Sequence, residues 1–169
     1  MCAEVLLFCM ADPVEHLSMI ARNYCAWVEA PPLPEEAEVK TALRLLADLS
    51  SAIMATPSLG CGEDIACERI SGEEWGAIYK RFASLPFNYY LTLFSPAKLL
   101  EQEPVVGDLA DDLADMYRDI KEGLWLFDHG HSVEAVWSWR DSFQTHWGRH
   151  ATNALYVLHT WSADEGIEL

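Results

Sequence analysis

The feature that most constrains this chain is a pair of long helical patterns separated by almost nothing. Between Gly107 and Gly130 the apolar residues Leu109, Leu113, Met116, Ile120, Leu124 and Phe127 recur at helical spacing. A second pattern starts at Ser132 and runs to about Trp161, with Val136, Trp137, Phe143, Trp147, Ala154, Leu155 and Leu158 on its seam. Gly130 suits a left-handed helix stop, and Ser132 is placed to cap the next helix. So short a turn leaves two long helices one arrangement, an antiparallel hairpin with facing seams.

Upstream patterns extend this into an all-α, single-domain irregular bundle of about five helices. The expected helices span 12–29, 35–54, 72–83, 107–128 and 132–161. Asp12 and Pro13 open the first, with Glu15 placed for a capping box, and Val14, Leu17, Ala21, Tyr24 and Val28 on its face. Val39, Ala42, Leu46, Leu49 and Ile53 form the face of the second. Ser71 and Glu74 make a capping box for the third. Residues 55–70 read as a loop. "LPFNYYLTLFSP" reads as irregular or extended chain against the core, and 97–106 as a connection with a single helical turn.

The hairpin's first helix carries an acidic stripe beside its seam: Asp108, Asp111, Asp112, Asp115, Asp119 and Glu122 fall within an arc of about 100°. Like charges at i,i+4 oppose a helix, so water and salt, basic neighbours or a bound cation must offset them. "DDLAD" (111–115) also fits a DDxxD pattern, in which carboxylates four residues apart suit hard cations. In an antiparallel hairpin, residues whose numbers sum to about 261 lie level. That sets Asp115 against His146, Asp111 against His150 and Asp112 against Arg149. "HWGRH" places His146 and His150 on one face, a two-ligand unit for a transition metal. Asp111, Asp112, Asp115, His146 and His150 are therefore the candidate ligands of a divalent metal ion. The plainer reading is a set of ion pairs across the hairpin, or a solvated face, with no cofactor at all.

Arg140 and Gln144 interrupt the apolar seam of the last helix. A buried guanidinium needs an anion and several acceptors. Two readings stand: an internal salt bridge to an acid on a facing helix, or an anion-binding pocket formed by Arg140, Gln144, Trp147 and Arg149. The Trp residues otherwise read as core.

The formal charge of −16 argues against nucleic acid and against anionic membrane surfaces as partners. It leaves cations, a protein partner or a homodimer. No stretch is apolar enough to span a bilayer, and the start lacks a basic leader. Five cysteines without a CxxC pair point to reduced thiols in a cytoplasm, with a Cys61–Cys67 pair left open. Phosphate-binding Gly loops and GxSxG elbows are absent.

"VGDLADDLADMYRDIKEGLWLF" and "AVWSWRDSFQTHWGRHATNALYVLH", with "YCAWVEA" and "EEWGAIYKRF", resemble a bacterial helical family, domain of unknown function 5063. The resemblance runs from about residue 14 to 161. It implies a soluble bacterial helical protein and assigns no activity. The expectation from sequence is thus a binding or interaction protein of unknown function, with an exposed apolar patch or self-association surface. The alternative is a divalent-metal-dependent hydrolase of a phosphorylated small molecule. There the DDxxD-like acids and the His pair would hold the ion, and Arg140 or Arg149 the anion.

Overall fold

The computed structural model describes residues 12–98 and 103–169, and Cys2 and Cys9 lie outside them. The fold is all-α apart from one small strand pair. Helix α1 (Pro13–Glu29) starts where expected, with the Asp12 side chain accepting from Val14 N at 2.9 Å. The reciprocal Glu15 contact of a capping box is not formed. Helix α2 (Glu35–Ala55) packs on α1 through Val39, Ala42, Leu46, Leu49 and Ile53, all buried. A loop over 56–70 leads to α3 (Gly72–Arg81), which opens on the full Ser71–Glu74 capping box. A 3₁₀ turn, Phe82–Ser84, follows it.

The next stretch departs from the sequence reading. Strand β1 (Tyr89–Thr92) pairs antiparallel with β2 (Val105–Asp108), with Tyr90 opposite Gly107 and Leu91 opposite Val106. The 97–106 connection therefore ends in a strand; residues 99–102 lie outside the described residues. Each strand is only four residues long and finds its partner across a gap in sequence, so neither shows a hairpin pattern of its own.

Helix α4 (Leu109–Asp128) begins two residues later than the periodicity suggests, because Gly107 and Asp108 belong to β2. Its first amides are satisfied from three sources. Asp108 Oδ1 accepts from Asp111 N at 3.1 Å, and Asn88 accepts from Leu109 N through its carbonyl and from Ala110 N through its side chain. The helix ends as expected. Gly130 takes φ +85°, Gly130 N donates to Phe127 O and His131 N to Leu126 O. His131, not Ser132, occupies the capping position of the next helix, and it caps without its side chain.

The last helix is continuous but not uniform: α5 (Ser132–Ser142) passes through a π turn (Phe143–Trp147) into α6 (Gly148–Asp164). Its buried residues explain the turn. Trp139, Trp147 and Ala151, with partly buried Phe143, step by four residues at a time, while an α-helix makes a turn in 3.6. A π turn absorbs the excess and keeps the row facing inward. Gly148 permits it, since a Cβ there would lie 2.3 Å from the Phe143 carbonyl oxygen.

Helix α4 is central, packed against α1, α3, α5 and α6. Among the described residues no helix is long and apolar enough to cross a membrane.

Candidate metal centre

Because α4 is central, its acidic stripe does not face solvent. The Asp112, Asp115 and Asp119 side chains are 7%, 14% and 16% exposed. The expectation of a solvated face is overturned by position: a helix flanked on most sides has no free face for its polar strip. Buried carboxylates need donors, and four other elements supply them. Tyr79 of α3 donates to Asp108 at 2.9 Å, and Trp75 Nε1 of α3 to Asp115 Oδ1 at 2.9 Å. Tyr90 of β1 donates to Asp112 Oδ2, and Arg69 of the 56–70 loop to Glu122 at 3.1 Å. The terminal helix contributes His146 and His150.

The histidines are held by their outer nitrogens. His146 Nδ1 lies 2.7 Å from Asp119 Oδ2, and His150 Nδ1 lies 2.5 Å from Asp112 Oδ1. An ionised carboxylate only accepts, so each Nδ1 is placed to donate, and a ring held this way has its lone pair on Nε2 whenever it is neutral. Both Nε2 atoms face Asp115 Oδ2, at 3.5 Å from His146 and 4.0 Å from His150. Asp115 is itself held by its other oxygen, which accepts from Trp75 and pairs with Arg118 at 2.9 Å. One atom of each group is thus anchored outward and one is turned inward. The ligand atoms of Asp115, His146 and His150 lie within 4.8 Å of one another. This cluster is one that could hold a metal ion. Two imidazoles and one carboxylate suit a transition ion, and three protein ligands leave coordination positions for water or substrate. Hydrogen-bonded partners behind the ligands are what metal sites use to fix imidazole tautomer and orientation.

The π turn is part of this geometry. His146 lies within it and His150 just beyond, and their rings meet edge to face with centroids 4.7 Å apart. Of the three level pairs expected, only Asp115 with His146 is in contact. Equal rise per residue does not survive a π turn, and His146 also reaches Asp119 while His150 reaches Asp112.

Burial alone would lower the His150 pKa. The hydrogen bond that His150 donates to Asp112 and the charges of Asp112, Asp115 and Asp111 outweigh it, and the pKa is raised. Burial raises the Asp111 pKa, with the charges of Asp115 and Asp108 adding to it. Burial also raises Asp119, against the opposing pull of His146.

Of the five expected ligands, Asp115, His146 and His150 come together. Asp112 is not in that group: its Oδ1 lies against His150 Nδ1 and its Oδ2 accepts from Tyr90. Among the described residues no hydrogen bond or ion pair of the Asp111 side chain is formed with either imidazole, and Asp111 is not one of the three residues whose ligand atoms converge.

The expected anion pocket does not assemble. Arg140 Nη1 donates to the carbonyls of Ile53 (3.3 Å) and Thr56 (2.5 Å), closing the end of α2 where carbonyls are left over by the helix. Among the described residues no acid pairs with Arg140, and backbone oxygens receive its guanidinium where an internal salt bridge to an acid on a facing helix was expected. Gln144 is exposed, and it shares a recess of about 250 Å³ with Arg140, Ile53, Met54 and Phe143. Trp147 is buried core, its Nε1 donating to Trp139 O at 3.1 Å. Arg149 is exposed, with Cζ 4.3 Å from the Phe94 ring centroid, and does not meet Asp112. Arg140 faces α2 and the imidazoles face α4, so the two candidate sites lie on different sides of one helix.

Sequence reasoning missed Asp119, Trp75 and Tyr90. Asp119 was visible as a stripe member, one turn beyond Asp115. Trp75 and Tyr90 carried no signal, because their role depends on where α3 and β1 dock. On the outer face of the strand pair Tyr89, Leu91 and Val106 are 68%, 69% and 68% exposed. Cys25, Cys61 and Cys67 are free thiols, so Cys61 and Cys67 are not paired. The Cys25 thiol is pushed up to about 12 by burial.

Residues 10–164 match the sequence family described as Domain of unknown function (DUF5063). The fold is similar to the crystal structure of protein BF1032 from Bacteroides fragilis, at 23% identity and a TM-score of 0.73, covering 87% of this chain and 90% of that one. No curated protein matches the chain.

Proposed function

This chain belongs to the family Domain of unknown function 5063, and on that premise, which assigns no activity, we propose that it binds one divalent transition-metal ion through Asp115, His146 and His150. The observation that carries this reading is the division of labour within each residue. His146 Nδ1, His150 Nδ1 and Asp115 Oδ1 are anchored by hydrogen bonds or an ion pair, while both Nε2 atoms and Asp115 Oδ2 converge. Ion pairing across a hairpin needs no such convergence. When bound, the ion would act as a Lewis acid on water or a substrate oxygen at a free coordination position.

The test is titration of metal-free protein with zinc or cobalt(II) by calorimetry. One ion per chain is expected, with a raised melting temperature. Binding should be lost in His146→Ala and in Asp115→Ala. Absence of stoichiometric binding by the parent protein, or binding by the two variants as tight as the parent's, would remove the reading.

A second reading is favoured by the outer face of the strand pair: two copies of this chain associate there. Tyr89, Leu91 and Val106 expose apolar area on one face of the strand pair, the kind of surface through which copies of a chain associate. Light scattering should then give a dimer that Leu91→Ser converts to monomer. A monomeric parent protein would exclude it.

A further inference from the structure

The metal reading accounts for the residues that touch the ion, but one chain of contacts runs beyond them. Asp112 uses both oxygens: Oδ1 holds His150 Nδ1, and Oδ2 accepts from the Tyr90 hydroxyl. Tyr90 lies on β1, outside the helical hairpin that carries the ligands. A single hydrogen bond would leave the carboxylate free to rotate about its Cβ–Cγ bond, whereas a second donor on the other oxygen fixes its plane.

The strand pair is built to hold that phenol in place. Gly107 is the residue opposite Tyr90 in the antiparallel register. A Cβ at Gly107 would come within 2.3 Å of Tyr90 Cζ, so the ring lies directly across its partner strand, in space that any side chain would fill. Tyr89 and Leu91, its neighbours on β1, point to solvent, as alternation along a strand requires. Of these three β1 residues, Tyr90 alone turns toward α4.

We infer that Tyr90 is a positioning residue of the metal centre, acting through Asp112 to hold His150 Nε2 toward the ion. The inference rests on the metal reading above. It assigns the strand pair a role in the site: it carries the outermost member of a Tyr90–Asp112–His150 relay, without contributing a ligand.

The test compares parent protein, Tyr90→Phe, Asp112→Asn and the double variant, all metal-free at the start. Zinc affinity is measured by competition with a chelator, and cobalt(II) loading is followed by visible absorption. Tyr90→Phe removes one oxygen and should weaken zinc binding by about 10- to 100-fold, the effect of losing an outer partner of a ligand. It should also change the cobalt absorption envelope, which a stabilising role alone would not move. Asp112→Asn should weaken binding too, and the double variant should be no weaker than the worse single change, because both act through His150. Tyr89→Phe, on the opposite face of the strand, should leave affinity unchanged. An unaltered affinity and spectrum in Tyr90→Phe, with the parent binding normally, would overturn the relay and spare the metal reading. Additive losses in the double variant would also overturn it. If Tyr90→Phe fails to fold, the cobalt spectrum of Asp112→Asn decides: a spectrum like the parent's overturns the relay. A parent protein that binds neither ion overturns both.

Discussion

Two clusters in this molecule each set carboxylates against basic side chains, and they come to opposite ends. At the junction of α1, α2 and α3, Arg81 pairs with Glu38, whose side chain is 0% exposed. Arg81 also donates to Trp27 O at 3.0 Å and to Ala30 O at 3.2 Å, and it stacks over the Trp27 and Phe82 rings. The other Glu38 oxygen accepts from Leu33 N at 2.9 Å. Both Glu38 oxygens and all three guanidinium nitrogens are spoken for, and the pair is closed. Between α4 and the terminal helix, by contrast, Asp115, His146 and His150 are anchored on one side and leave three atoms facing each other. Burial alone does not separate a structural ion pair from a binding centre. The difference lies in whether any donor or acceptor is left over, and in what direction it points.

Removing one partner of the closed pair should have the largest effect. Glu38→Ala strands a buried guanidinium and should cost about 3–5 kcal/mol by chemical denaturation. A cost below about 1 kcal/mol would show that the pair is not closed. His150→Ala should strike function more than fold. Metal affinity should fall by more than the roughly 100-fold upper range for an outer-shell partner, with a smaller loss of metal-free stability than Glu38→Ala. The reverse ranking would make the open cluster a second structural pair.

Arg140→Ala tests a guanidinium satisfied by carbonyls instead of a carboxylate. It should cost about 1.5–3 kcal/mol, the range for hydrogen bonds to a charged group, with metal affinity unaffected. A loss of affinity would tie the two sides of the terminal helix together.

The pH response should be smaller and of one sign. The folded pKa of His150 is raised above the ordinary imidazole value. The stability this contributes is complete below about pH 6.5, the unfolded value, and is lost as pH rises through the higher folded value. Denaturation of metal-free protein between about pH 6 and 9 should show that decline, reduced in His150→Gln. A stability that holds level in the parent would contradict it. Metal binding should strengthen over the same range, because the proton and the ion compete for one imidazole.

The smallest effect is expected at Asp111. Its pKa is raised by burial and by neighbouring carboxylates, so Asp111→Asn should stabilise by about 0.2–0.5 kcal/mol through relief of like-charge repulsion. Metal affinity should be retained, and a marked loss would return Asp111 to the ligand set.

Much of this protein was legible from local pattern. The faces of α1 and α2, the Ser71–Glu74 box, the Gly130 stop and the pairing of the last two helices rest on interactions within a few residues along the chain. Such interactions leave a periodic or positional trace. His146 and His150 at i,i+4 and the acids opposite them could be brought together on paper for the same reason. The π turn had a trace as well, in the four-residue steps from Trp139 to Ala151. The seam that periodicity suggests hides those steps, because it includes the half-exposed Trp137 and omits the buried Trp139.

What the sequence by itself determined, then, was where the helices run and which residue types they bring to one hairpin. Only the tertiary structure decided that α4 lies at the centre, so that its acids are buried and need donors. It alone decided that Trp75 and Tyr90 supply them, that Arg140 spends itself on the end of α2, and that the inward atoms are Asp115 Oδ2 and two Nε2 nitrogens. The physical reason is range. A helix forms from contacts three and four residues apart, whereas the direction in which a carboxylate points is set by whichever distant donor the packing brings against it.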